Sequence, residues 1–176
     1  MQKLVVGAGE ELLTIGGIEA ESIVDGPGFR YTVFVQGCDF RCPGCHNPAL
    51  QSFSGGRRVS IAEITAAVRA NPLLSGLTLS GGDPFTQAVP CAALAEQVRA
   101  LGLTVVVYTG YLWEDLLAAD KPGWRRLIEA ADILVDGPFI QTQKNIELRF
   151  RGSANQRLIK VPQSLAAGRV ITLEEE

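Results

Sequence analysis

The chain has 176 residues, of which 47% are hydrophobic and 20% charged, and its formal net charge is −3. This length fits one domain with a sizeable core, and the negative charge gives no electrostatic support to nucleic-acid binding. No apolar run reaches the ~20 residues of a membrane-spanning helix, and the first apolar run is too short for a signal peptide. We therefore expect one cytoplasmic domain over residues 1–176, with its core at 22–162 and neither membrane nor nucleic-acid partners.

Short apolar segments rich in β-branched and aromatic residues alternate with segments of helical periodicity. The predicted strands are 31–35, 77–79, 103–108, 133–135 and 158–161, with edge strands at 13–18 and 170–173. The predicted helices are 60–71, 87–101, 113–119 and 123–131, the first of which begins with a capping box at Ser60 and Glu63. Residues 1–13 are expected to be a weakly structured lead-in, 54–58 a loop, and the glutamates at 174–176 a solvated tail.

The order strand, loop, helix occurs about four times, which predicts an α/β fold with a parallel sheet and right-handed crossovers. Four unusual loops each follow a predicted strand, and they lie at 38–46, 81–84, 109–111 and 136–138. Because active sites in such folds lie at the carboxyl ends of the strands, these loops should meet on one rim of the sheet. The strands are too few for an eight-stranded barrel, so we expect an incomplete, open one.

The first of these loops carries three cysteines, Cys38, Cys42 and Cys45, directly after an apolar run that ends at Gly37. Thiolates spaced C-x-x-x-C-x-x-C can converge on one metal centre. A 4Fe–4S cluster normally takes four cysteine ligands, so three would leave one iron without a protein ligand. By analogy with zinc, an open coordination position is typical of a catalytic site, whereas a closed one is structural.

Three other interpretations of these cysteines remain open at this point. A structural zinc ion could take the three cysteines and His46, although the adjacent Cys45 and His46 would chelate one ion awkwardly. A c-type haem could attach at 42–46, which matches C-x-x-C-H, but that attachment takes place outside the cytosol and leaves Cys38 unexplained. A disulfide is disfavoured in a reducing compartment.

Other motifs have an ordinary structural interpretation beside a functional one. The Gly-Gly-Asp-Pro loop at 81–84 could be only a sharp turn, or its glycines could let a ligand approach the backbone. Residues 25–28 predict a turn just upstream of the strand that precedes the cysteines. His46, the sole histidine, could be a proton donor, a neighbour of the cluster or a hydrogen-bonding group of the loop. Cys91 falls on the apolar face of a predicted helix, so we expect it in the core.

Near the end of the sequence, three arginines flank a polar stretch. Arg149, Arg151 and Arg157 surround the residues Gly-Ser-Ala-Asn-Gln at 152–156. They could be solvated charges, or they could bind an anionic group or the surface of a partner.

Taken together, the motifs resemble those of the radical S-adenosylmethionine (radical SAM) enzymes, and within them the anaerobic ribonucleoside-triphosphate reductase activating proteins. The resemblance runs from about residue 23 to 158. It rests on the cysteine loop and on Val-Asp-Gly-Pro-Gly at 24–28, Ser-Gly-Gly-Asp-Pro at 80–84, Tyr-Thr-Gly-Tyr at 108–111, Leu-Val-Asp-Gly at 134–137 and Arg-Gly-Ser-Ala-Asn-Gln-Arg at 151–157. The Thr-Gly-Tyr and Arg-Gly-Ser motifs look specific to this subgroup, and the others are shared with activases of glycyl radical enzymes more broadly.

The resemblance implies a partial parallel βα barrel in which Cys38, Cys42 and Cys45 hold a 4Fe–4S cluster. The open iron would chelate S-adenosylmethionine, and one electron would split this cofactor to give a 5′-deoxyadenosyl radical. The cofactor-binding residues that the resemblance implies are Ser80, Gly81, Gly82, Asp83, Thr109 and Asp136. Asp25 and Gly28 would lie near the point where a glycine of the partner protein enters. The radical would take a hydrogen atom from the α-carbon of that glycine and leave a glycyl radical.

The implied partners are the anaerobic reductase that carries this glycine and a flavodoxin- or ferredoxin-type electron donor. Two features depart from the family pattern. Gly44 stands where many radical SAM proteins have an aromatic residue, so adenine packing must come from elsewhere. His-Asn-Pro at 46–48 is similar to the pyruvate formate-lyase activases, so an activase of that type is one alternative. Alternatives from other classes are a non-catalytic iron–sulfur electron carrier and a structural zinc module.

Overall fold

The structure is a computed structural model that describes residues 11–173. The predicted lead-in up to residue 10 and the predicted tail at 174–176 lie outside the described residues. Between residues 11 and 173, no helix combines the length and the apolar character needed to pass through a bilayer.

Seven strands form one sheet in the described part of the chain. They are β1 (Leu12–Ser22), β2 (Arg30–Val35), β3 (Arg57–Ser60), β4 (Gly76–Gly81), β5 (Thr104–Tyr108), β6 (Ile133–Asp136) and β7 (Arg157–Lys160). Their order across the sheet is β3-β1-β2-β4-β5-β6-β7. The neighbours among β2, β4, β5 and β6 are parallel, whereas β1, β3 and β7 are joined antiparallel. The parallel centre therefore brings the carboxyl ends of four strands to the same edge.

The α-helices of residues 11–173 follow the predicted pattern with one addition. They are α1 (Ile61–Ala70), α2 (Ala88–Ala100), α3 (Trp113–Ala118), α4 (Trp124–Ala130) and α5 (Val161–Ala167). The predicted cap of α1 is confirmed, because the hydroxyl oxygen of Ser60 accepts a hydrogen bond from the Glu63 N–H at 3.1 Å. Helix α5 was not predicted: its first residues continue the apolar run of β7, and its proline stands in the first turn, where a missing N–H costs nothing.

The helices pack on one face of the sheet. Every second residue along the central strands points to this face, as Val33, Leu79 and Val107 do, and these side chains are fully buried. They form one apolar cluster with helix residues such as Leu94 and Leu127. Cys91 belongs to the same cluster and is fully buried, so its predicted place in the core is confirmed.

The opposite face of the sheet is covered in part by two loop segments. Residues 23–29 cross it at β4, where the Thr78 hydroxyl donates to the carbonyl oxygen of Asp25 at 2.8 Å. The segment 137–156 lies on the side of β6 and β7, where Phe150 packs against a small apolar cluster of strand residues. Between these two segments, the carboxyl-terminal part of this face stays open.

The α/β class is confirmed, but several details of the predicted sheet are wrong. The sheet is mixed rather than wholly parallel. It is open, as expected, with β3 and β7 as its edges. Strand β1 is not an edge strand, because β3 pairs outside it. The start of β3 was predicted to be a loop, since Arg57 and Arg58 are exposed and give no apolar pattern. The predicted strand at 170–173 is reduced to a single bridge between Ile159 and Thr172.

A buried arginine links the central strands on the less covered face. Arg30 in β2 is only 1% exposed. Its Nε donates to the Thr78 hydroxyl at 3.2 Å, and its Nη1 donates to the Thr104 hydroxyl at 2.7 Å. Its Nη2 donates to the carbonyl oxygens of Leu77 and Thr104. Burial lowers the pKa of the guanidinium to about 10, and this hydrogen-bonded charge joins β2, β4 and β5.

Replacing this arginine should weaken the whole sheet. We expect Arg30→Met to lower the free energy of unfolding by about 2–4 kcal/mol, because the substitution leaves several buried oxygens without a donor. The control is Arg58→Met on the exposed edge strand, which should change the free energy by less than about 0.5 kcal/mol. Urea unfolding at pH 7 measures both, and equal midpoints for the two variants would contradict the expectation.

Candidate iron–sulfur site and adjoining groove

A cavity of about 140 Å³ lies at the carboxyl ends of the parallel strands. The loops that follow β2, β4, β5 and β6 all contribute to its lining, so the predicted convergence of the four loops on one rim is confirmed. The lining residues are Cys38, Phe40, Cys42, Cys45, His46, Asn47, Ser80, Gly81, Gly82, Asp83, Tyr108, Thr109, Gly110, Gly137, Phe139 and Gln156.

The three cysteines of the first loop face this cavity as free thiols. Cys38 is buried, and Cys42 and Cys45 are half-buried. The N–H groups of Phe40 and Asn47 point to the sulfur atoms of Cys38 and Cys45, each at 3.4 Å. Burial raises the pKa of the Cys38 thiol to about 11. Metal binding at this cysteine must therefore release a proton.

The donor atoms of this loop fit an iron–sulfur cluster. Thiolates are the usual cluster ligands, and hydrogen bonds to their sulfur atoms are one of the features that set the reduction potential. Among residues 11–173, no three His, Cys, Asp or Glu side chains are grouped to hold one metal ion. A cubane cluster makes a different demand, because each of its cysteines binds a different iron atom.

The glycine loop after β4 packs tightly against the start of the cysteine loop. Gly81 has φ +100°, and a Cβ atom at Gly82 would collide with the carbonyl oxygen of Gly37. The N–H of Gly82 donates to the carbonyl oxygen of Val35, and the N–H of Asp83 donates to that of Gly37, both at 2.8 Å. This close packing requires both glycines even without a ligand, and it fixes the loop beside Cys38.

Asp83 connects the loops after β4 and β5. Its side chain is 1% exposed and accepts hydrogen bonds from the N–H groups of Phe85 and Gly110 at 3.0 and 2.9 Å. The Thr109 hydroxyl lies 3.1 and 3.0 Å from its two oxygens. Thr109 therefore lines the cavity with its hydroxyl already engaged by Asp83, a pairing that the sequence analysis missed because it depends on which strands are neighbours.

Asp136 lies beside the cavity but is not part of its lining. Its fully buried carboxylate accepts hydrogen bonds from the N–H of Trp113 at 2.8 Å and from Arg157 Nε at 3.0 Å. Arg157 also pairs with Glu114 at 2.9 Å. Asp136, at the end of β6, thus anchors the first turn of α3. Arg157 is paired with two carboxylates rather than simply solvated.

A larger groove of about 400 Å³ adjoins the cavity on the less covered face of the sheet. Strand residues Phe34, Ser80 and Tyr108 line it, with the two loop segments on either side. The groove and the cavity share His46, Asn47, Ser80, Tyr108, Phe139 and Gln156. A molecule in the groove would therefore lie directly beside the cysteine loop.

The two residues predicted near the partner entrance lie in different places. Asp25 lines the groove, and its carboxylate accepts a hydrogen bond from the Ser22 hydroxyl at 2.5 Å. Gly28, with φ +75°, lies against Ser75 just before β4. It is therefore at the amino ends of the strands, opposite the cysteine loop, and the structure does not bring it to the groove.

The Arg-Gly-Ser motif is a clamp on the loop after β6. The side-chain oxygen of Gln156 accepts from the N–H groups of Gly152 and Ser153 at 2.9 and 3.2 Å, and its nitrogen donates to the carbonyl oxygen of Gly137 at 3.1 Å. Asn155 donates to the carbonyl oxygen of Pro138 at 2.8 Å. The polar residues between the arginines thus fasten one wall of the cavity, a role that the sequence analysis did not identify.

Comparison with known proteins agrees with this site. A family model described as a 4Fe-4S single cluster domain matches residues 24–159. The anaerobic ribonucleoside-triphosphate reductase-activating protein of Escherichia coli (strain K12) is 37% identical over 142 residues, which are 76% of this chain and 90% of that protein. The protein of the same name from Vibrio cholerae is 37% identical over 76% of this chain and 89% of that protein. The one from Enterobacteria phage T4 is 30% identical over 77% of this chain and 86% of that protein.

Among solved structures, QueE from Escherichia coli matches with a TM-score of 0.44 and 12% identity over 71% of this chain and 70% of that chain. The match of the family model over most of the chain, together with the cysteine site, defines a 4Fe–4S single-cluster protein. The chain belongs to the family of the anaerobic ribonucleoside-triphosphate reductase-activating proteins.

The buried carboxyl of Asp83 should give the metal-free protein a characteristic pH dependence. Burial raises its pKa to about 6, above the value of about 3.9 in an unfolded chain. The folded protein therefore holds this proton more tightly, so the group favours folding at low pH and its contribution is lost as the pH rises through about 6.

The comparison variant is Asp83→Asn, which cannot titrate. The unfolding free energy of the wild type minus that of the variant should fall by roughly 2–3 kcal/mol between pH 4 and pH 7, at about 1.4 kcal/mol per pKa unit. Urea titrations at several pH values measure this difference. A difference that stays constant over the range would contradict a raised pKa.

Proposed function

We propose that the chain is a radical SAM activase, which cleaves S-adenosylmethionine reductively at a 4Fe–4S cluster and removes a hydrogen atom from a glycine of anaerobic ribonucleoside-triphosphate reductase. The observation that carries the proposal is the cavity lined by three free cysteines and by the loops of three neighbouring strands, continuous with a groove. Its relatives are named for activating that reductase. The open sheet, with helices on one face, would correspond to the partial barrel of such enzymes.

Each wall of the cavity has a role in this proposal. Cys38, Cys42 and Cys45 hold the cluster, which when bound supplies the electron that cleaves S-adenosylmethionine. Residues 80–83 receive the methionyl amino group of the cofactor, at the loop that Asp83 braces against Thr109. Asp136 acts indirectly, by fixing the starts of α3 and β7 beside the cavity, because its carboxylate is bound to Trp113 and Arg157.

The groove is the proposed seat of the partner. A protein substrate needs an open approach to the reacting atoms, and the groove leads from the surface to the cysteine loop. Val24, which is 70% exposed, and Asp25 form one side of it, and Leu148 and Phe150 form the other. The segment that carries the glycine would lie between these sides. Gly28 would act only by shaping the loop that carries Asp25.

The choice of partner rests on the relatives. Those named above are activating proteins of the anaerobic reductase, and this favours the reductase over a pyruvate formate-lyase partner. The single electron must come from outside the chain, and we propose a flavodoxin- or ferredoxin-type protein as its donor.

The three cysteines should be individually indispensable for activity. We expect Cys38→Ala, Cys42→Ala and Cys45→Ala each to abolish the release of 5′-deoxyadenosine after anaerobic reconstitution and reduction, because each removes one cluster ligand. The control is Cys91→Ala in the helical core, which should keep iron binding and cleavage. A variant that lacks one of the three thiols and still cleaves the cofactor at the wild-type rate would contradict the proposal.

Electron paramagnetic resonance of the reconstituted wild type separates this proposal from its alternatives. Addition of S-adenosylmethionine should change the spectrum of the reduced cluster, since the cofactor binds the open iron. A spectrum that does not change when the cofactor is added would indicate a coordinatively complete cluster and hence an electron carrier. A colourless protein with stoichiometric zinc would indicate a structural zinc module.

A further inference from the structure

One residue beside the groove has an unusual backbone conformation. Phe150 has φ +61°, and it is the sole non-glycine residue between positions 11 and 173 with a positive φ. A bulky side chain in this left-handed region costs roughly 1–2 kcal/mol. Such a conformation persists only where the surrounding structure enforces it, and these outliers cluster at functional sites.

A long-range hydrogen bond holds Phe150 in this conformation. The hydroxyl of Tyr108 donates to the carbonyl oxygen of Phe150 at 2.7 Å, across 42 positions of sequence. Tyr108 is the last residue of β5, so its ring is mounted on the rigid centre of the sheet. Burial raises the pKa of its phenol, and the hydroxyl therefore remains a donor over the whole physiological range.

Further contacts fix the chain on both sides of Phe150. The aromatic ring of Phe150 packs on the small cluster of Val106, Val135 and Leu158, and the guanidinium of Arg149 lies 5.3 Å from the centre of that ring. Two residues later, Gly152 is bound to Gln156. The strained residue is thus held by the sheet below and by the clamp that follows it.

Tyr108 and Phe150 lie at the boundary between the cavity and the groove. Tyr108 lines both the cavity and the groove, whereas Phe150 lines the groove but not the cavity. The opposite side of the groove is formed by the exposed Val24 and the half-buried Asp25. Phe150 is therefore the rigid side of the groove, and its position is set by the same residue that borders the proposed cofactor cavity.

We propose that Phe150, held in its left-handed conformation by Tyr108, is a positioning residue that seats the glycine-bearing segment of the partner protein. A glycine has no side chain that the activase could bind, so the position of the segment must be fixed by contacts between its backbone and a rigid surface. The reacting atoms must approach to about 3–3.5 Å, and a misplacement of about 1 Å can cost about 100-fold in rate. This inference rests on the proposed function of the site.

The test measures coupling in the reconstituted holoenzyme with the full-length reductase as substrate. Each productive event breaks one Cα–H bond of the glycine and forms one C–H bond at the 5′ carbon, so it yields one 5′-deoxyadenosine and one glycyl radical. We expect Tyr108→Phe and Phe150→Gly to raise the ratio of 5′-deoxyadenosine to radical spins by about tenfold or more. The half-saturating concentration of the reductase should rise as well.

Three variants and one stability measurement separate positioning from folding. Phe150→Gly removes the ring and also relieves the backbone strain, so the variant should stay folded by urea titration while it becomes uncoupled. Phe150→Tyr keeps an aromatic side and should restore a ratio close to that of the wild type. The matched control is Tyr31→Phe in β2, which makes the same change on the helix-covered face of the sheet, away from the groove, and should keep the wild-type ratio.

Two results would overturn the inference in distinguishable ways. If the wild type forms glycyl radicals and folded Tyr108→Phe and Phe150→Gly keep its ratio, Phe150 has only a structural role and the proposed function stands. If the wild type cleaves S-adenosylmethionine but forms no radical on the reductase, or does not cleave it at all, the proposed function fails and the inference fails with it.

Discussion

The site depends on one buried carboxylate, that of Asp83. The backbone N–H of Asp83 donates to the carbonyl oxygen of Gly37 and so holds the start of the cysteine loop. The carboxylate of Asp83 accepts hydrogen bonds from the Thr109 hydroxyl and the Gly110 N–H. Three loops from three neighbouring strands are thus tied together by a single residue. Because the carboxylate is almost completely removed from water, any loss of these donors would leave a costly unpaired group. The cysteines therefore project from a loop whose base is fixed.

The two faces of the sheet differ: one packs against the helices, and the other borders the groove and the cavity. One face is buried under the helices and contains the main apolar cluster. The other carries polar and aromatic side chains, crossed by the loop that contains Asp25 and by the segment that contains Phe150. The cavity and the groove meet at the rim between them, where Ser80 and Tyr108 line both. A cofactor and a protein substrate could therefore approach the same point from different directions.

The sequence predicted best what depends on local pattern. The central strands β2, β4, β5 and β6 were found because buried strands are runs of β-branched and apolar residues, and α1 was found because Ser60 and Glu63 form a local cap. The cysteines were found because a tight spacing of one reactive residue type has few explanations. The outer strands were partly missed: β3 begins with exposed arginines, and its partner is distant in sequence.

Most of the contacts that were missed join residues far apart in the chain. The pairs Asp83 with Thr109 and Asp136 with Arg157 are 26 and 21 positions apart. Each pair exists because two neighbouring strands reach the same edge of the sheet, and that adjacency is a property of the strand order rather than of either segment. The sequence motifs therefore marked the right loops but not the partners of their side chains, as the clamp around Gln156 also illustrates.

The exposure of the cysteine loop has a consequence for how the protein matures. Cys42 and Cys45 are half-buried on a surface loop, and none of the three cysteines belongs to the apolar clusters of the described residues. The apolar core of residues 11–173 is therefore not built around the metal, unlike that of a zinc finger. We therefore expect that iron and sulfide can be delivered to a chain that has already folded, and that a lost cluster can be rebuilt without passing through the unfolded state.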